Sequence, residues 1–173
     1  MKQFISALAL ICSFLFSWVD VAEATEAPAK HSMESDYGFL IGRWTCHVTQ
    51  AGTADQTISA EYEWSFESHV LRERMQLGDK LIGEFLTSYD KARDGFKGVG
   101  VGAWGYVVWE NAGFQNGHLS ERGFVFDSGK MTPVSRSEFE RVSDTHYLVH
   151  DFEADTAAGS GKATDTEDCI KVK

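Results

Sequence analysis

Thr57-Ile58-Ser59-Ala60-Glu61-Tyr62-Glu63-Trp64-Ser65-Phe66-Glu67 alternates polar and apolar residues without a break. Ile58, Ala60, Tyr62, Trp64 and Phe66 fall on one face of an extended chain, and the hydroxyls and carboxylates fall on the other. Period two over this length predicts a strand with one dry face and one wet face. Just downstream, Leu71, Glu73, Met75 and Leu77 share one phase, and Arg72, Arg74 and Gln76 the other. A tight hairpin about Glu67-Ser68 would set Glu63 opposite Arg72 and Glu61 opposite Arg74. Each such exposed pair is worth only tenths of a kcal/mol up to about 1 kcal/mol, but together they favour one register.

The same grammar continues outward. Turn chemistry at Gly78-Asp79-Lys80, at 90–95, at Asn116-Gly117, at Asp127-Ser128-Gly129 and at Ser143-Asp144 separates short strands at 81–89, 96–104, 106–110, 118–126, 134–142 and 145–153. A small-residue loop at 155–162 precedes a last strand at 167–172. Proline occurs only at Pro28 and Pro133, so ladder hydrogen bonding is scarcely interrupted. Only one helical turn is expected, around 36–40. Nine or ten strands at this spacing predict an all-β, up-and-down antiparallel barrel of the lipocalin-like kind.

The N-terminus has a different composition. Lys2, an apolar run at 4–19 and Ala22-Glu23-Ala24 read as a cleaved signal peptide over 1–24. Residues 25–36 read as a flexible polar leader and 37–173 as the barrel domain. The address is periplasmic or secreted. The chain carries a net charge of −10, or −9 once Lys2, Asp20 and Glu23 leave with the signal. That sign repels phosphate backbones and anionic lipid, so neither nucleic acid nor, after cleavage, membrane is an expected partner. A soluble monomer is expected. Two cysteines then remain, Cys46 and Cys169. An oxidising compartment lets them bridge the first strand to the last, the other readings being two free thiols or an intermolecular pair.

Gly42-Arg43-Trp44 at the start of the first strand resembles the Gly-x-Trp hallmark of lipocalins and other calycin barrels, whose Trp plugs one end. Lipocalins hold that Trp with a late Arg; here the last Arg is Arg141, and the final strand offers Lys171 and Lys173. A closer resemblance is to the bacterial "domain of unknown function 1579" family. It rests on Phe39-Leu40-Ile41-Gly42-Arg43-Trp44-Thr45-Cys46, Leu71-Arg72-Glu73-Arg74-Met75, Ser88-Tyr89-Asp90 with Phe96, the stretch 136–143 and Cys169. The resemblance implies a lipocalin-like, often exported barrel and carries no activity with it.

Glu73 breaks the pattern of its strand, lying on the apolar face and, in the hairpin register, opposite Tyr62. A carboxylate inside a barrel must be paired, hydrogen-bonded or protonated. It is either a ligand anchor or acid/base group, or one half of a structural Glu73–Tyr62 hydrogen bond. Gly98, Gly100 and Gly102 share one strand face, where side-chain-free positions let a ring or ligand approach the backbone. His146 and His150 are roughly 13 Å apart along a strand, too far to share a metal, so no metal or cofactor is expected. Tyr62, Trp64, Glu73 and Trp104 are the expected ligand-binding residues. The leading functional expectation is a carrier of a small apolar or amphipathic molecule. The alternatives are a cyclase- or isomerase-like enzyme using Glu73 and Tyr62, and a surface interaction module with a filled barrel.

Overall fold

A computed structural model describes residues 31–67, 69–103, 105–127, 130–153 and 163–173. The signal peptide expected over 1–24 and the first part of the leader lie outside these residues. Ten strands follow in chain order: β1 Gly42–Gln50, β2 Gln56–Ser65, β3 Val70–Leu77, β4 Lys80–Asp90, β5 Gly95–Gly102, β6 Gly105–Asn111, β7 His118–Asp127, β8 Lys130–Ser143, β9 His146–Glu153 and β10 Asp165–Lys171. Each pairs antiparallel with its sequence neighbours, and β1 pairs with β10, closing a lipocalin-like up-and-down barrel. Closure leaves no strand edge unpaired.

The β2–β3 register is the one the alternation implies: Tyr62 opposite Glu73, Glu63 opposite Arg72, Glu61 opposite Arg74. Arg72 Nη1 reaches Glu63 at 2.9 Å. Glu61 and Arg74 are register partners but spend their charges elsewhere, Glu61 on Arg43 at 3.2 Å and Arg74 on Glu84 at 3.9 Å. The strand ends two residues earlier than its alternation suggests, at Ser65. Phe66 and Glu67 take positive φ in the hairpin, and Phe66, expected on the dry face, is 76% exposed. A turn that needs left-handed backbone there overrides the hydrophobic phase.

Residues 31–36, expected to be a flexible leader, are packed. Ser32 caps a short helix, α1 Met33–Tyr37, through a reciprocal capping box with Ser35, and a 3₁₀ turn, Gly38–Leu40, follows where a helical turn was expected. His31, Met33, Asp36, Tyr37 and Leu40 are buried. Asp36 ties this segment to the far side of the barrel, accepting from His31 Nδ1 at 2.9 Å and from the Phe114 amide at 2.8 Å. Tyr37 packs edge-on against Phe96 and donates to Asn111 Oδ1. The segment therefore stoppers one end of the barrel.

Trp44 completes the stopper. It is fully buried, and its indole donates to the Leu40 carbonyl at 2.6 Å. Lys171, not an arginine, supplies the cation: its Nζ lies 5.3 Å from the Trp44 ring and donates to the Phe39 carbonyl at 2.8 Å. Arg141 covers the Phe39 ring instead, at 4.4 Å. Gly42 is required here, since its φ is +123° and a Cβ would stand 3.1 Å from Lys171 Cε.

Cys46 and Cys169 face each other across the closing seam and form a disulfide over a sequence separation of 123 residues. It lies on the inner face, so it restrains the closure of the barrel itself. Replacing both cysteines by serine should cost about 2–5 kcal/mol, chiefly by releasing the unfolded chain. Urea denaturation measures this as a lower midpoint; an unchanged midpoint would mean that the ladder and the Trp44 stopper close the barrel alone.

Candidate functional site

Below the stopper the barrel is hollow, with an interior cavity of about 550 Å³. Alternation decides what each strand shows it. β2 contributes Gln56, Ile58 and Tyr62; β3 contributes Leu71, Glu73 and Met75; β9 contributes Tyr147, Val149 and Asp151. β4 contributes Ile82, Phe85 and Thr87, with Ile82 brought inward by the bulge opposite Met75 and Gln76.

The space owes much to glycine. Gly98 faces Trp109 across β5–β6, and a Cβ there would sit 2.0 Å from Trp109 Cε2. Gly100 faces Phe85 across β4–β5, and its Cβ would sit 2.1 Å from Phe85 Cδ1. Both rings therefore occupy the space over the glycines, with centroids 5.5 Å apart in an edge-to-face contact. The glycine stripe seats aromatic rings, one of the two roles expected of it.

Tyr62 and Glu73 both line the cavity and meet there: Tyr62 Oη donates to Glu73 Oε1 at 2.9 Å. A second hydroxyl, Tyr147, lies 3.0 Å from Tyr62 and 3.6 Å from Cys46 Sγ. With Glu73 ionised, the chain runs Tyr147 to Tyr62 to Glu73. Trp64, expected beside them, packs against the core and does not border the cavity. It sits near the stoppered end of β2, beyond the depth of the lumen. Trp104 lies outside the described residues. Trp109 is a wall residue.

Glu73 is one of several interior carboxylates. Glu121 from β7, Asp151 from β9, and Asp165 and Glu167 from β10 also face inward. The signal that picks out Glu73 marks the others too. Glu121 lies between Leu119 and Gly123, Asp151 follows Tyr147 and Val149, and Asp165 and Glu167 precede Cys169 in its own phase. Burial pushes Glu73 up to about 7, against the lowering pull of the Tyr62 hydroxyl. Burial raises Glu121 to about 8, opposed by the Asn111 amide and aided by Glu73 and Asp151. Glu167 rises to about 8 by burial and by repulsion from Asp151, Glu73 and Asp165. Asp151 is raised by burial and by Asp165, its cross-strand neighbour, although Ser137 donates to it. Burial also raises the phenols of Tyr62 and Tyr147, so both hydroxyls remain protonated.

Cys46, Glu167 and Cys169 are the one compact group of metal-ligand types among the described residues, but the two sulfurs are bonded to each other. They offer no thiolate. No protein-family model matches this chain, and no curated protein matches it significantly. The site is read from its own chemistry.

These carboxyls bind protons more tightly folded than unfolded. Their contribution is therefore full below the unfolded carboxylate range, near pH 4.5, and is lost as pH rises through about 7–8. The thermal midpoint should fall between pH 5 and pH 8.5. Glu167→Gln should relieve part of the fall, by at least about 1.4 kcal/mol, the worth of a tenfold change in proton affinity. A midpoint flat across this range would mean that water reaches these groups and holds them near ordinary values.

Proposed function

We propose that this protein is an exported, monomeric barrel that holds a small amphipathic organic molecule in its interior. The observation that carries the reading is the hollow lumen. Its volume of about 550 Å³ falls in the roughly 300–1,000 Å³ range of small-molecule sites. More of the wall is apolar or aromatic than polar, and its charged groups are carboxylates on β3, β7, β9 and β10. Such a wall suits a ligand with an apolar body and a polar end.

Further features support it. Leu77, Leu81, Val101 and Tyr106 are exposed on the β3–β4 and β5–β6 hairpins, at the end opposite the stopper, and make an apolar rim for an entering ligand. The disulfide suits an oxidising compartment. No helix among the described residues is long and apolar enough to cross a membrane. A closed sheet offers no edge for a second copy, which favours the monomer.

Native mass spectrometry of protein purified from its own compartment should reveal a co-purifying small molecule, lost on denaturation. Val107→Trp, which places an indole in the lumen from the wall of β6, should abolish that adduct while the protein stays folded. An adduct retained by the folded Val107→Trp protein would place the ligand elsewhere.

A further inference from the structure

We infer that the interior ligand is an organic ammonium ion, a compound with an apolar body and a protonated amine, held by the inward carboxylates of β3, β7 and β10. The inference rests on the interior-binding reading above and adds the sign of the ligand's charge.

The cavity is one-signed. Among the described residues lining it there is no lysine, arginine or histidine. The nearest candidate on the wall strands, Arg136, stands between the lining residues Ser135 and Ser137. It is buried but does not itself line the cavity, lying over the Phe152 ring of the wall and paired with Glu138. Interior carboxylates in ordinary proteins are paired with a cation or saturated with donors. These are not. Glu73 receives Tyr62, and Glu121 receives Asn111 at 3.1 Å, one donor each where an ionised carboxylate accepts several.

Glu167 is the sharpest case. It is half-buried, borders the cavity, and receives no N–H or O–H donor from the described residues, and on the same strand the lining Asp165 Oδ1 is buried with no hydrogen-bond partner. The disulfide sulfurs stand beside it, Cys169 Sγ at 4.0 Å from Oε2, and a disulfide sulfur has no proton to give. An acceptor left open toward the cavity marks where a donor on the ligand would sit.

The rest of the wall fits the same guest. Trp109 and Phe85 present ring area on the wall, where a cation gains from the π-face and an alkyl body from burial. A small hard metal ion fits poorly, because it needs six or more oxygens converging within bonding range, and no group of three carboxylates converges so closely among the described residues. A carboxylate or phosphate ligand would meet only like charge. The acidic surface as a whole draws cations toward the mouth.

Proton exchange follows from the surroundings. Glu167 is faced by Asp151 from β9 and Glu73 from β3, with Asp165 on its own strand, and Glu121 is faced by Glu73 and Asp151. Every neighbour is acidic, so the empty cavity keeps protons at neutral pH. An entering ammonium ion displaces them, and its affinity rises with pH up to about 8.

The test is a matched series of octylammonium, 1-octanol and octanoate, titrated calorimetrically into the mature full-length protein at pH 6 and pH 8. At pH 8 octylammonium should bind about ten-fold tighter than 1-octanol, the worth of one charge-assisted hydrogen bond, with octanoate weakest. The preference should shrink at pH 6. Glu121→Gln combined with Glu167→Gln should erase it while 1-octanol still binds, and heat measured in buffers of different ionisation enthalpy should show proton release only for octylammonium. Equal or tighter binding of 1-octanol or octanoate at pH 8 would overturn the charge assignment and leave interior binding standing. Failure of all three to bind would overturn interior binding itself.

Discussion

Closure at the β1–β10 seam is the constraint on which everything else in this molecule rests. An open ten-stranded meander would have two edges and two solvated faces. Joined through the register that sets Cys46 opposite Cys169, it has an inside, and every second residue of every strand becomes an interior residue. The disulfide holds this seam from within, and Trp44, beside it on β1, stoppers the end under the Met33–Leu40 segment. The fixed seam and stopper hold the remaining lumen open.

What fills the inside is divided by depth. Near the stopper, Trp44, Tyr147, Phe96 and Tyr37 pack as a conventional aromatic core. Beyond them the design changes. Gly98 and Gly100 carry no side chain, and Phe85 and Trp109 occupy the room those glycines leave. The same depth carries carboxylates that burial and mutual repulsion hold protonated near neutral pH. Packing and polar satisfaction, the two rules a stable core obeys, are both relaxed in one place, and such departures concentrate where function competes with stability.

The barrel was legible because its cause is local. Alternation in 57–67 and 70–77 fixes strand phase, and the Glu63–Arg72 pairing fixes the hairpin register that the structure contains. The Glu73–Tyr62 contact follows from that register alone. The stopper was hidden because 31–40 has no period. Its order comes from a capping box and from Asp36 reaching Phe114, a partner far along the chain. Which tryptophan lines the lumen was equally hidden: Trp64 and Trp109 both point inward, and only the stagger of the strands sets their depth. Glu121 and Glu167 occupy an intermediate position. Each obeys the phase argument that marks Glu73, but their strands alternate less cleanly, and the dry face is declared only when the neighbouring strands supply it.

A hollow barrel lined by proton-holding carboxylates can be examined group by group. Carbon-detected NMR titration of the side-chain carboxyls of Glu73, Glu121 and Glu167, assigned through single Glu→Gln variants, reads their protonation directly. All three should titrate well above the ordinary glutamate range, Glu73 near 7 and the other two near 8. Titration of all three near 4.5 would mean a solvated interior and would contradict the acidic, proton-holding lumen described above.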